Sequence, residues 1–85
     1  MSLFSRLFGG AKDPVAEPET HEGFTITPTP IREGTRFRIS ALIEKDGRSH
    51  TLIRADVIDD IDTANRISIA KARQMIDEQG DGLFG

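Results

Sequence analysis

Residues 36–57 read Arg36-Phe37-Arg38-Ile39-Ser40-Ala41-Leu42-Ile43-Glu44-Lys45-Asp46-Gly47-Arg48-Ser49-His50-Thr51-Leu52-Ile53-Arg54-Ala55-Asp56-Val57. Phe37, Ile39, Ala41 and Ile43 alternate with Arg36, Arg38, Ser40 and Leu42, the period of a half-buried strand. Thr51 to Val57 is a further strand, and Lys45-Asp46-Gly47-Arg48 between them carries a hairpin signal. Parity sets an expectation for the loop. The apolar positions are odd in both strands, and a two-residue loop would pair odd with even and turn one apolar set to solvent. A three-residue loop with Gly47 left-handed is therefore expected, either Lys45-Asp46-Gly47 or Asp46-Gly47-Arg48. The second choice is preferred. It sets Leu42 opposite Leu52 and Arg38 opposite Asp56, whereas the first sets Arg38 against Arg54.

Working outward, Phe24-Thr25-Ile26-Thr27 alternates again and predicts a strand before the hairpin. Pro28 and Pro30 lack a donor, so that strand should lie at an edge or end there. Glu33-Gly34 makes the turn into the central stretch. On the other side, Asp59-Asp60-Ile61-Asp62 opens a helix to about Gln79, because Asp caps orphan N–H groups and suits the positive end of the dipole. Ile61, Ala64, Ser68, Ala72, Met75 and Ile76 fall on one helical face, with Arg66, Arg73 and Asp77 opposite. Gly80 ends the helix, and Gly82-Leu83-Phe84-Gly85 is read as a short tail. The predicted fold class is α+β, a three-stranded antiparallel meander with one C-terminal helix packed on one face, in the order β-β-β-α. Residues 23–85 form one domain, and residues 1–22 are an N-terminal apolar segment and flexible linker.

In that segment Leu3, Phe4, Leu7 and Phe8 share one face of a short helix before Gly9-Gly10. These four are a candidate arm for docking on a partner. Ala11 to Glu22, with Pro14 and Pro18, has a linker composition. An 85-residue chain favours one domain with a thin core. It has no Cys, which removes disulfides, thiolate metal sites and thiol catalysis. No apolar run reaches the roughly 20 residues of a membrane span, and the expected location is the cytoplasm. The net charge of −3 argues against a generic nucleic-acid binder. Its distribution is uneven: residues 23–58 carry net +2, residues 1–22 net −2 and residues 59–85 net −3.

The chemistry-bearing residues are sparse. His21 and His50 have neither a nucleophile nor a second ligand at a meaningful spacing, so ordinary surface histidines are expected. Asp59, Asp60 and Asp62 could hold a divalent cation, but helix capping accounts for the same residues. No Gly-rich phosphate loop follows a strand. The expectation is a protein that is not an enzyme and has no metal, cofactor or small-molecule substrate. The sheet face left open by one helix is the candidate site. It should show Arg36, Arg38, Ser40, Leu42, Leu52 and Arg54, with Arg32, Arg48 and His50 near the rim. One reading is a basic platform for DNA or an acidic partner, carried by Arg36, Arg38, Arg54 and Arg48. The other is a solvated or protein-binding face, including a homodimer centred on Leu42 and Leu52. The pattern has no stacking aromatics for single-stranded RNA and no second helix for a helix-turn-helix.

Four stretches carry a resemblance: Ser2-Leu-Phe-Ser-Arg-Leu-Phe-Gly-Gly10, Gly23-Phe-Thr-Ile-Thr-Pro-Thr-Pro-Ile31, Ile53-Arg-Ala-Asp56 and Ala70-Lys-Ala-Arg-Gln-Met-Ile-Asp-Glu-Gln-Gly80. In them the chain resembles the HlyU family of small proteobacterial proteins. The resemblance implies a transcriptional activator of haemolysin-type genes and brings no catalytic residues.

Overall fold

The computed structural model of the protein describes residues 16–85. In chain order it contains β1 (Glu19–His21), β2 (Phe24–Pro28), β3 (Ile31–Glu33), β4 (Arg36–Lys45), β5 (Arg48–Ile58), α1 (Ile61–Gln79) and a 3₁₀ turn, Gly80–Phe84. The class is α+β with one antiparallel sheet and a C-terminal helix, as expected, but the sheet has five strands rather than three. β4 is central, with β2 and β3 along one side, β5 along the other, and β1 outside β2.

The extra strands have simple origins. β2 and β3 keep one register against β4: Thr25 faces Glu44, Pro28 faces Ala41, Ile31 faces Arg38 and Glu33 faces Arg36. They are one strand interrupted at Thr29-Pro30, and the Thr29 N–H still donates to the Ser40 carbonyl across the gap at 2.9 Å. β1 lies inside the stretch read as linker. It pairs with β2 only as far as Ile26, so Pro28 and Pro30 sit on an unpaired edge, where a missing N–H costs nothing.

The hairpin register differs from the expectation. Lys45 pairs with Arg48, leaving a two-residue Asp46-Gly47 turn. Both residues have positive φ, 52° and 79°, the type I′ geometry whose twist matches the flanking strands. Leu42 therefore faces Thr51 rather than Leu52, and Arg38 faces Val57 rather than Asp56. The parity argument failed because it required the odd residues of β5 to be the buried set. The buried one is Leu52, opposite Ala41, and Ile53 is turned outward. The register then shifts between Ser40 and Arg38, so Arg54, Ala55 and Asp56 together span Ile39.

The core has two apolar clusters under α1. Phe37 and Ile39 meet Ala64 near the helix start. Phe24, Ile26, Ala41, Ile43 and Leu52 meet Ala72, Ile76 and Leu83 near its end. Ser68 lies between Ala64 and Ala72, and its Oγ accepts the Ser40 N–H at 3.2 Å. The small residues Ala64, Ser68 and Ala72 are fully buried, which lets the helix lie close on the sheet. Asp60 caps the helix, its carboxylate accepting from Thr63 N–H and Thr63 Oγ1, each at 2.8 Å. At the other end the Gly80 N–H donates to the Ile76 carbonyl at positive φ. The residues after it are more than a tail: Leu83 is buried and Phe84 stacks on Phe24 with centroids 5.9 Å apart. Among the described residues no helix is long and apolar enough to cross a membrane.

Candidate functional site

Cross-strand partners share a face, so the register defines what the open side of the sheet presents. Phe37, Ile39, Ala41 and Ile43 point to the helix, and Arg36, Arg38, Ser40 and Leu42 therefore point away. Ile31 and Val57 flank Arg38, Ile53 sits beside Ser40, and Thr27 and Thr51 flank Leu42. Ile31 and Ile53 are the large apolar side chains left most exposed, at 41% and 54%. Half-buried Leu42 and Val57 complete an aliphatic strip bordered by threonines.

The arginines expected on this face are divided between the two sides of the sheet, and most of them have partners. The Arg38 guanidinium is engaged on every side: Nε and Nη2 donate to the Glu33 carboxylate, and Nη1 donates to the carbonyls of Arg54 and Ala55 at 3.3 and 3.2 Å. It ties down the stretch of β5 where the register shifts. The same contact holds the Glu33 carboxyl below its ordinary range, chiefly through the hydrogen bonds from Arg38, and raises Arg38. Arg36 Nε lies 2.9 Å from Asp59 Oδ1. Arg48 is on the helix side of the hairpin, its guanidinium 4.6 Å from the Phe84 ring centroid and 3.8 Å from Asp81. Arg32 is also on that side, over the Phe37 ring. Arg54 is exposed in the irregular stretch. Leu52 is in the core, so it is not available to a partner. The candidate arm of Leu3, Phe4, Leu7 and Phe8 lies outside the described residues.

The structure also brings together residues that spacing along the chain kept apart. The His21 Nε2–H donates to Asp77 Oδ1 at 2.8 Å, joining β1 to the last turn of α1. Glu22 stands beside them, and the three potential ligand atoms lie within 4.8 Å of one another. No local motif could reveal this group, because β1 itself is hidden in a linker-like composition. Of the three acidic residues before the helix, Asp60 is the cap, Asp62 is in the first turn and Asp59 pairs with Arg36.

Among the described residues there is one α-helix, so no helix-turn-helix is formed. The sequence model of a family described as "Transcriptional activator HlyU" matches residues 2–84. No curated protein and no solved structure gives a significant match.

Proposed function

Because this chain belongs to the HlyU family, we propose that it is a small cytoplasmic regulator of transcription that works through protein contact, pairing with a second copy across its open sheet face. The observation that carries this reading is the aliphatic strip of Ile31, Leu42, Ile53 and Val57 on a face where Arg36 and Arg38 are paired with Asp59 and Glu33. Such a face meets its own copy without like-charge repulsion, and sheet-on-sheet packing is a standard way to cover it. Binding is its role; no catalytic step is assigned to it. Direct DNA binding through Arg36, Arg38 and Arg54 is the competing reading of the same family description. It is less favoured because freeing Arg38 for a phosphate would break its contacts to Glu33 and to two β5 carbonyls.

Two measurements on the full chain separate the readings. Light scattering after size exclusion should give a dimer that Leu42→Asp or Ile53→Asp converts to a monomer. Titration with duplex DNA at about 50 mM salt should give no binding. A monomer that binds duplex DNA overturns the proposal, most clearly if the log–log salt slope is near −2.7. That slope is expected from three phosphate contacts at about 0.9 each, and Arg38→Ala should then shallow it by about one unit. A monomer that binds no DNA also overturns it.

A further inference from the structure

His21, Glu22 and Asp77 converge from three different kinds of backbone. His21 ends β1 and pairs with buried Phe24, so its ring is directed to the helix side of the sheet. Glu22 is the first residue of the two-residue turn to β2, with φ of 54°. Asp77 is in the final turn of α1. The cleft beside them has a volume of about 380 Å³, and Glu22, Lys45, Asp77 and Asp81 are among the residues that line it. The His21 side chain is 23% exposed and is held at the back of the group, while Asp77 is 59% exposed and open to solvent.

The electrostatics of this corner are unusual for a helix end. Carbonyl groups at a helix C-terminus carry the negative end of the dipole, so cations are favoured there and carboxylates are not. The last turn of α1 nevertheless carries Asp77 and Glu78 and has no basic residue, and Asp81 follows the cap. Asp81 is matched by Lys45 Nζ at 3.2 Å and Arg48 at 3.8 Å. Asp77 has the imidazole of His21. A positive charge between Asp77, Glu22 and His21 would offset both the carboxylates and the helix carbonyls.

We propose that His21 Nε2 and the carboxylates of Glu22 and Asp77 bind a divalent transition-metal ion of the zinc class, with water completing the shell. One imidazole nitrogen and two carboxylate oxygens form a donor set suited to Zn²⁺, Co²⁺ or Ni²⁺, whereas Mg²⁺ and Ca²⁺ prefer oxygen alone. Tetrahedral zinc with bonds of about 2.0–2.2 Å places its ligands roughly 3.4 Å apart. The His21–Asp77 pair must open slightly and Glu22 must close, movements that lie within the rotamers of two exposed carboxylates. The ion replaces the hydrogen bond between Nε2 and Oδ1. The neutral imidazole then carries its proton on Nδ1, and its Nε2 lone pair faces the metal. There is no change of oxidation state. The ion would clamp β1 to the far end of the helix.

The test is calorimetric titration of the untagged full chain with ZnCl₂, with thermal melts in parallel. One saturable site per chain and a higher Tm with zinc are expected. Glu22→Gln, in an exposed turn where folding is not at stake, should weaken binding by more than about tenfold, as should Asp77→Asn and His21→Ala. His50→Ala should leave it unchanged, and Co²⁺ absorption should report the same loss in the same variants. Absence of binding at millimolar zinc overturns the proposal. So does binding that survives His21→Ala and Glu22→Gln, or that is lost in His50→Ala. None of these outcomes depends on whether the open face dimerises.

Discussion

On the helix side of the sheet, Ile26, Ile39, Ala41 and Ile43 have no exposure, while on the other side of the same sheet Ile31 and Ile53 keep 41% and 54% of theirs. The difference lies in what each face is packed against. The covered side is filled by a helix whose buried residues are small apart from Ile76, so the fit is close and the chemistry apolar except where the Ser68 hydroxyl meets the Ser40 N–H. The open side is organised by pairing instead: Arg38 with Glu33 and Arg36 with Asp59, around aliphatic side chains that no described residue covers. One face holds the protein together. The other is held by local ion pairs and leaves Ile31 and Ile53 exposed. Substitutions should therefore act on folding from one side and on association from the other.

The largest effect should come from Ala72→Glu. Ala72 is fully buried against the sheet, and an unpaired carboxylate there costs several kcal/mol, enough to unfold a domain of this size. Arg73→Glu, one residue further round, removes an exposed ion pair with Glu19 and should cost under about 1 kcal/mol. Chemical denaturation of the two variants compares them directly, and equal tolerance would mean that the covered face is not the folding core.

Ser68→Ala tests the seam between the two clusters. The Ser68 hydroxyl accepts the Ser40 N–H where β2 and β3 part and where the β5 register shifts. Removing it leaves that amide buried without its partner, a loss of about 1–3 kcal/mol in denaturant melts. A neutral result would show that the Ser40 N–H finds another acceptor when the Ser68 hydroxyl is removed.

How much of this was legible in the sequence follows from which signals are local. The helix face was, because Ala64, Ser68, Ala72 and Ile76 repeat at helical spacing and are the buried set. The strands flanking Asp46-Gly47 were too, from alternation alone. The register was not. The odd apolar residues of β5 suggested a buried set, yet Ile53 faces out beside Ser40. β1 was illegible because three residues, Glu-Thr-His, have no strand signature of their own and are held by β2. Its turn has the same geometry as Asp46-Gly47, with Glu22 and Gly23 at φ of 54° and 83°. Glu-Gly is a far weaker hairpin signal than Asp-Gly. The loss propagated to the candidate sites. Without β1 there is no His21–Asp77 contact, and without the register the arginines of 36–54 look like a platform when most of them are already paired.

Ile53→Asp separates the faces in the other direction. Its side chain supports little of the folded monomer, so stability measured on dilute protein should change by no more than about 0.5 kcal/mol. The association state should nevertheless fall. A substantial loss of stability in the dilute monomer would mean that the open face contributes to the fold, and the contrast between the two sides would narrow.

The smallest effects come from two exposed carboxylates that are both held below their ordinary pKa for different reasons. Asp60 is lowered by hydrogen bonds from the Thr63 side chain and backbone at the start of α1, and Glu33 by hydrogen bonds from Arg38 on the open face. A depressed carboxyl stabilises the fold above its unfolded pKa, near 3.8 for Asp60 and 4.5 for Glu33, and that contribution is lost as pH falls through the lower folded value. Asp60→Ala and Glu33→Gln should therefore each melt below the wild type at pH 7 and converge towards it on acidification. Salt should tell them apart. The Glu33–Arg38 pair is solvent-facing and is screened at 1 M NaCl, where the Debye length is about 3 Å. The Asp60 cap is a short-range contact to a backbone N–H and should keep most of its effect. If both differences vanish with salt, the cap acts through the helix dipole rather than through the bond to Thr63. The two carboxylates would then share one electrostatic origin despite lying on opposite sides of the fold.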